Sequence, residues 1–168
     1  MTAKRLTELS MLTAVALIIF IIELRLPNLS AVPGVKLGLA NIITVYALYR
    51  YKFSETAMIV FVRIVMGAIF GGNISAIIYS ASGAFLCLLG MSLLKNIIPA
   101  DHLWLCSIIG AILHNTGQIA AAILVTRAII VISYLPFLIV TGCIAGAFTG
   151  LCAQFICKRL SRQHNKRI

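Results

Sequence analysis

The chain has 168 residues, of which 61% are apolar and only 11% are charged, and its mean hydropathy is +1.07. Because soluble domains carry about 25% charged residues, this composition predicts an integral membrane protein and excludes an ordinary soluble domain. The length leaves room for one compact bundle over residues 1–168 and for no separate soluble domain. The first apolar stretch runs into Glu23 and Arg25 without a small-residue cleavage site, so we expect it to be retained.

The net charge of +10 arises from 14 basic and 4 acidic residues. The basic residues flank apolar stretches without a nucleic-acid-binding motif, so we interpret them as topology signals and contacts with the lipid membrane. We therefore expect no nucleic-acid partner. The five cysteines lie within apolar stretches or at their ends and form no CxxC pair, which predicts neither a disulfide framework nor a zinc site. No cofactor is expected.

Six apolar spans follow one another along the chain, and they predict an all-α, polytopic bundle of six transmembrane helices. A membrane helix needs about 20 residues. The second span is shorter, so we expect it to be tilted, to begin in a protein-lined cavity, or to be partly unwound where it faces protein or water. The last span could also begin at Pro136, since proline suits the first turn of a helix. The spans cover residues 7–26, 36–50, 54–71, 74–95, 103–126 and 131–157.

Lysine and arginine are distributed unequally between the two sides of this arrangement. If both termini lie inside, the inner segments carry ten basic residues and the outer segments carry three. This asymmetry predicts a multi-pass protein of the cell membrane with cytoplasmic N- and C-termini and a basic cytoplasmic tail over residues 158–168. The inner residues are Lys4, Arg5, Arg50, Lys52, Lys95, Lys158, Arg159, Arg162, Lys166 and Arg167, and the outer ones are Arg25, Lys36 and Arg127.

Arg63 is an ionisable residue within a span, and such residues are costly to bury and point to function. It precedes Gly71 by eight residues, which places it about 12 Å from the outer end of its helix. Gly67 lies one turn further out on the same face, where the missing side chain would let a ligand approach. We interpret Arg63 as an anchor that grips an anionic group through paired hydrogen bonds. The alternative is a structural ion pair with Glu23.

The string HNTGQ, residues 114–118, places further polar side chains near the middle of the fifth span. His114 and Gln118 are four residues apart and share a helix face, so they could hydrogen-bond a polar substrate. The alternative, which suits Asn115 best, is hydrogen bonding between helices of the bundle. A metal site is not expected, because the other two histidines, His102 and His164, lie on the predicted cytoplasmic side.

The string PGVKLGLANI, residues 33–42, leads into the short second span on the predicted outer side. We expect the preceding loop to fold over a cavity, with Lys36 and Asn41 at the rim of the pocket. Together with Lys36, three arginines would form an electropositive funnel that suits a carboxylate or a phosphate ester. The alternative for each of them is an anchor at the level of the lipid headgroups. The three are Arg25, Arg63 and Arg127.

Small residues recur at every fourth position in three spans, which permits close contact between helices. We interpret most of them as packing within the bundle. Ser10 and Ala14 lie near the cytoplasmic end of the first span, where docking onto a partner subunit is a second interpretation. The other two rows are Ala76, Ser80 and Ala84, and Gly142, Gly146 and Gly150.

The strings PGVKLGLANI, RIVMGAIFGG (63–72) and SASGAFLCLLGM (80–91) resemble the heptaprenyl diphosphate synthase component I family, also called the Gx transporter family. The resemblance covers most of the chain. The six-span layout is also similar to the substrate-binding S components of energy-coupling-factor (ECF) vitamin transporters. That similarity implies a loop that closes an outward-facing pocket, and docking of Ser10 and Ala14 onto a transmembrane coupling subunit driven by ATPases.

The sequence carries no catalytic constellation, so we do not expect an enzyme. Prenyl synthases of the usual kind hold magnesium with aspartate-rich clusters, whereas this chain has the single aspartate Asp101. It also has no GxxxxGK[ST] loop for ATP. The leading hypothesis is a substrate-binding membrane subunit that imports an anionic or amphipathic small molecule with an energising partner. The alternatives are an accessory membrane subunit for a soluble prenyl synthase subunit and a structural assembly protein.

Overall fold

The computed structural model of the chain describes residues 2–25, 38–71 and 76–165. The described part is helical and contains no strand, which confirms the all-α prediction. Two short 3-10 helices, Ala100–His102 and Ile129–Tyr134, lie between the longer helices. The α-helices are α1 (Ala3–Arg25), α2 (Asn41–Arg50), α3 (Phe53–Gly71), α4 (Ala76–Leu94), α5 (Leu103–Thr126) and α6 (Leu135–Asn165).

Within the described ranges, five segments are long and apolar enough to cross a membrane. Their outer surfaces carry large apolar side chains such as Phe61, Phe85 and Phe148, which are between 63% and 66% exposed. Such surfaces suit contact with lipid acyl chains, so the prediction of a helical membrane bundle is confirmed. The segments are Ala3–Glu23, Phe53–Gly71, Ile77–Leu94, Ala100–Thr126 and Ile129–Arg159.

The second helix, α2, is short and central. Its 10 residues span about 15 Å, half the thickness of the hydrocarbon core. Most of its side chains are buried, and it contacts each of the other five helices. This explains why its sequence is apolar all round. It begins at Asn41 and not at the expected residue 36, because Gly38 turns the chain with φ +78° and its carbonyl accepts the Asn41 N–H at 2.9 Å.

The last helix begins later than residue 131 and extends further than residue 157. It starts at Leu135, so that Pro136 lies in its first turn, where a missing N–H breaks no helical hydrogen bond. Its 31 residues extend about 46 Å, well beyond the thickness of the hydrocarbon core. Residues 158–165 of the predicted tail are therefore a continuation of α6.

The helices α4, α5 and α6 pack backbone against backbone. A Cβ at Gly117 would lie 2.7 Å from the Ser82 carbonyl oxygen and 2.9 Å from the Gly83 Cα. A Cβ at Gly146 would lie 2.9 Å from the Ile108 Cα. The glycine row of α6 thus packs against α5, in agreement with the first interpretation of its spacing.

Side-chain hydrogen bonds inside the bundle join α5 to α6. Asn115 donates its side-chain N–H to the Leu138 carbonyl oxygen at 2.6 Å. The hydroxyls of Ser107 and Thr149 lie 3.1 Å apart. Asn115 therefore has the interhelical role that the sequence favoured for it, while its neighbour His114 faces a different part of the interior.

The helices α1 and α3 are joined by a charged contact, which we call the Arg5–Glu55 clamp. The Arg5 guanidinium donates to both Glu55 carboxylate oxygens, from Nε at 3.0 Å and from Nη2 at 2.8 Å. The same carboxylate accepts the Lys52 N–H at 2.9 Å at the start of α3. The guanidinium also lies 4.1 Å from the ring centroid of Tyr51. This clamp ties the first turn of α1 to the corner between α2 and α3.

Candidate functional site

Four of the buried polar side chains form what we call the interior polar cluster: Asn41, Arg63, His114 and Gln118. Their exposed fractions are 7%, 5%, 5% and 1%. They come from α2, α3 and α5, three helices that meet because α2 occupies the centre of the bundle. Polar groups in an apolar interior are costly unless they are paired, so the cluster requires either internal partners or a ligand.

The start of α2 lies beside the Arg63 side chain. Arg63 Nη1 approaches the Asn41 Oδ1 atom at 3.5 Å, which is long for a hydrogen bond. The turn at Gly38 covers this contact, because a Cβ there would lie 3.1 Å from Asn41 Nδ2 and 3.8 Å from His114 Cδ2. The N-terminal end of a helix carries a partial positive charge. The guanidinium and the start of α2 therefore make one electropositive region.

Several polar atoms of the cluster lack partners. Among the described residues, none forms a hydrogen bond with Arg63 Nε, His114 Nδ1 or Gln118 Oε1, although all three atoms are buried. Leaving such an atom unpaired costs about 1–3 kcal/mol. The Arg63 Nε is always a donor and the amide oxygen of Gln118 is an acceptor. A molecule that satisfied both would bring an anionic oxygen to Arg63 and an N–H or O–H group to Gln118.

Glu23 lies near this cluster but makes no direct ion pair with Arg63. Its exposed fraction is 6%, and a carboxylate oxygen accepts the Gly38 N–H at 2.5 Å. Glu23 is close enough to Arg63 to contribute a favourable electrostatic interaction. The ion pairs within 4.0 Å that the described residues form involve Arg5 and Lys158, not Arg63. The Arg63 guanidinium is thus free to form close contacts with an anion.

Gly67 has a neighbour in the space that its missing side chain leaves. A Cβ there would lie 2.4 Å from the Cε1 atom of Phe20, whose ring reaches over from α1. The glycine therefore allows α1 to pack closely against α3 one turn from Arg63. A ligand that touched Gly67 would have to displace this ring, and the role of Gly67 in binding stays a prediction.

Gly83 belongs to the site although the sequence did not single it out. A Cβ at this position would lie 2.7 Å from the His114 carbonyl oxygen, 2.9 Å from Gln118 Cγ and 3.0 Å from His114 Cε1. The helix α4 thus supplies a backbone surface against which His114 and Gln118 rest. The available signal was a glycine inside a helical pattern, which is unfavourable unless packing requires it.

The remaining predicted residues lie apart from the cluster or outside the described ranges. Lys36 lies outside the described residues. Arg25 and Arg127 are exposed at the ends of α1 and α5, and their convergence on Arg63 stays a prediction. Ser10 and Ala14 are exposed and line a groove of about 370 Å³ between α1 and α3. This groove makes the two small residues accessible, while docking at them stays a prediction.

The described residues include no group of three or more histidine, cysteine, aspartate or glutamate side chains that could hold a metal ion. Asp101 is exposed and forms an ion pair with Lys158 at 3.2 Å. The five cysteines are free thiols, and Cys87 and Cys106 are buried.

A family model described as heptaprenyl diphosphate synthase component I matches residues 12–156. No curated protein and no solved structure gives a significant match. The matched range contains Asn41, Arg63, His114 and Gln118, the residues of the interior polar cluster. The resemblance seen in the sequence is thereby confirmed. The chain is a helical, membrane-embedded member of the heptaprenyl diphosphate synthase component I family.

Proposed function

We propose that this chain is an accessory membrane subunit of prenyl diphosphate synthesis and that it binds an anionic, amphipathic molecule at the interior polar cluster. The observation that carries the proposal is the buried Arg63 guanidinium, whose Nε has no hydrogen-bond partner among the described residues. Membership of the family supports the link to prenyl diphosphates. Such molecules join a hydrocarbon chain to an anionic group. The hydrocarbon chain would suit the apolar bundle, and the anionic group would suit the buried Arg63.

The physical argument for an anion rests on the cost of burying Arg63. The guanidinium stays protonated, so it cannot escape the apolar interior by losing its charge. An anion with two oxygens would bind it bidentately, and charge-assisted hydrogen bonds are about twice as strong as neutral ones. Asn41 and His114 can donate to the remaining oxygens, and the positive end of α2 adds to the attraction.

The accessory role follows from what the chain offers for catalysis. Its single aspartate, Asp101, is exposed and paired with Lys158, so it cannot contribute to an aspartate-rich magnesium site. We infer that a soluble synthase subunit performs the condensation and that this chain holds its substrate or product in the membrane.

Import of a small molecule is a second candidate, and the exposed groove at Ser10 and Ala14 favours it. In that case the same interior cluster would bind an anionic metabolite, and a transmembrane coupling subunit with its ATPases would dock at the groove. Small residues permit the close approach of a partner helix within a membrane. Both candidates require Arg63 to bind an anion, and they differ in the partner.

Binding at the cluster is tested with purified protein in detergent. Farnesyl diphosphate and farnesol serve as probes that differ only in the anionic group. We expect the diphosphate to bind and the alcohol not to bind, and we expect Arg63→Gln to weaken binding by about tenfold to a hundredfold, the value of a hydrogen bond to a charged group. Lys4→Gln, which removes one exposed positive charge at the start of α1, is the control. Unchanged affinity in Arg63→Gln would contradict the proposal.

The partner is tested by affinity purification of the tagged chain from membranes. Recovery of a soluble, aspartate-rich prenyl synthase supports the accessory role, whereas recovery of a coupling subunit with ATPases supports import. Ala14→Leu fills the groove between α1 and α3, so it should release a partner that docks there. Val15→Leu, one residue further on the outer surface of α1, should retain it.

We also propose that both termini face the cytoplasm, on the basis of the ten basic residues of the inner segments against three in the outer ones. A C-terminal fusion to green fluorescent protein should fluoresce, and a C-terminal fusion to alkaline phosphatase should be inactive. Active alkaline phosphatase would place the C-terminus outside and reverse the proposed topology.

A further inference from the structure

We propose that the chain has a second anion-binding site, at the opposite end of α2 from the interior polar cluster, that takes a phosphate group. A cavity of about 260 Å³ opens there between the end of α2, the 3-10 turn Ala100–His102 and α6. Arg50 and Asn41 are nine residues apart, so about 14 Å of helix separates the two sites. We call this the Arg50 cavity, and its lining includes Tyr46, Tyr49, Arg50, Asp101, Cys157 and Lys158.

Two donors that line the Arg50 cavity have no partner among the described residues. Arg50 ends α2, and no described residue forms an ion pair or a hydrogen bond with its guanidinium. Tyr46 is only 7% exposed, and no described residue forms a hydrogen bond with its hydroxyl. The hydroxyl oxygen is not among the fully buried atoms, and it lines the cavity, where it can donate to a bound group.

Lys158 supplies the third donor and is held by an exchangeable partner. Its ammonium lies 3.2 Å from Asp101, and the two side chains are 50% and 74% exposed. Exposed pairs of this kind contribute little to stability, so a phosphate can take the place of the carboxylate. Asp101 is therefore a competitor for the ligand, and its removal should strengthen binding.

The walls of the Arg50 cavity are fixed by contacts that leave these donors unused. Tyr49 donates its hydroxyl to the Ile98 carbonyl oxygen at 3.1 Å. Lys95 donates to the Leu48 carbonyl oxygen at 2.5 Å, which ties the end of α2 to the segment after α4. A site whose walls are already ordered loses less entropy when it binds a ligand.

The outer surface of α6 indicates where the apolar part of a ligand would lie. Phe155 and Ile156 are 71% and 41% exposed, and they share a neighbouring groove with Lys158 and Arg159. A phosphate carried on an acyl or prenyl chain could place its head in the Arg50 cavity and its chain along this surface. Two sources share this chemistry: a lipid headgroup and a soluble phosphate or diphosphate.

The test uses the full chain in detergent with two probes. Inorganic pyrophosphate is titrated by calorimetry, and phosphatidylglycerol in mixed micelles is followed by native mass spectrometry. We expect at least one probe to bind, with Arg50→Gln and Lys158→Gln each weakening it by about tenfold. Asp101→Asn should tighten binding, and Lys158→Arg, which keeps the charge, should retain it.

One control separates this site from its surroundings. Lys4→Gln removes one exposed positive charge at the start of α1, so it should not change binding of the probe. Binding of phosphatidylglycerol alone assigns the cavity to a lipid headgroup, and binding of pyrophosphate assigns it to a soluble phosphate. Failure of both probes to bind, or an equal loss in Lys4→Gln and Arg50→Gln, would overturn the proposal.

Discussion

The two halves of the bundle differ in how closely the backbones of their helices approach one another. The helices α4, α5 and α6 pack through glycines that touch the backbone of the next helix, as Gly117 does at Ser82 and Gly146 does at Ile108. The helices α1, α2 and α3 are joined by polar and charged side chains, including the Arg5–Glu55 clamp and the contact of Arg63 with Asn41. The unpaired buried Arg63 Nε belongs to the second half.

This difference indicates that the two halves have different structural roles. Backbone contacts at glycine leave no room for another molecule between α4, α5 and α6, so these helices form a support for the unpaired His114 Nδ1 and Gln118 Oε1 atoms that α5 carries. The second half meets that support at Gly38, where a Cβ would lie 3.8 Å from His114 Cδ2, while the backbone of α4 at Gly83 lies against His114 and Gln118. A binding site at such a boundary has one fixed wall and one wall made of groups that can exchange their partners for a ligand.

The largest effect is expected where backbone meets backbone. Gly117→Ala would place a Cβ within 3.0 Å of three backbone atoms of Ser82 and Gly83, so helices α4 and α5 must separate. Overpacking of this kind costs about 1–3 kcal/mol or more, and we expect a large fall in melting temperature or loss of folded protein. The fluorescence of Trp104, the single tryptophan, on α5, provides the measurement.

Gly90→Ala is the matched control on α4. The nearest atoms to its Cβ belong to the Leu113 side chain, which can rotate away, so we expect a much smaller change in melting temperature. Equal decreases in melting temperature for Gly90→Ala and Gly117→Ala would contradict the distinction between backbone and side-chain contacts on which the comparison rests.

Effects on both stability and binding are expected at Gly83, because the nearest neighbours of its Cβ are the His114 backbone carbonyl oxygen and two side-chain atoms of the cluster. Gly83→Ala would push against His114 and Gln118, so it should weaken binding of farnesyl diphosphate to the folded protein by about tenfold. This change in affinity corresponds to the loss of one or two hydrogen bonds. Gly142→Ala would instead displace the Asn115 amide, 2.5 Å from its Cβ, and should lower the melting temperature without changing affinity. The same affinity loss in both variants would count against a site at Gly83.

The smallest effect is expected from the Arg5–Glu55 clamp, which is partly exposed. Glu55→Gln removes one charge of the pair, so it should lower the melting temperature modestly and less so at high salt, where charges are screened. Arg5→Gln should lower the melting temperature by a similar amount. The double variant should lower it by no more than the larger of the two single decreases. If the decreases in melting temperature of the two single variants simply added up in the double variant, this double-mutant cycle would show that the two side chains do not stabilise the fold through each other.

The sequence was sufficient to identify the membrane bundle and the members of its interior cluster. A polar residue stands out in an apolar span, so the sequence singled out Arg63, His114 and Gln118. All three are buried in the bundle. The short second span was also visible, although the start of α2 at Asn41 depended on the turn at Gly38.

The pairing of distant helices could not be predicted. Periodicity describes one helix at a time, so it did not reveal that Phe20 covers Gly67 or that Gly83 supports His114. The Arg5–Glu55 clamp joins residues 50 positions apart at the ends of two spans, where charged residues were interpreted as topology signals.

The central claim is that Arg63 is held for a ligand and does not maintain the bundle. Arg63→Met puts an apolar, unbranched side chain in place of the guanidinium. It should therefore remove the cost of burying a charge that has no carboxylate within 4.0 Å among the described residues. The direct test is the melting temperature of ligand-free Arg63→Met, measured together with its affinity for farnesyl diphosphate. We predict an unchanged or higher melting temperature and loss of binding. A lower melting temperature that Glu23→Gln restores, with binding retained, would show a structural pair with Glu23 and contradict the account.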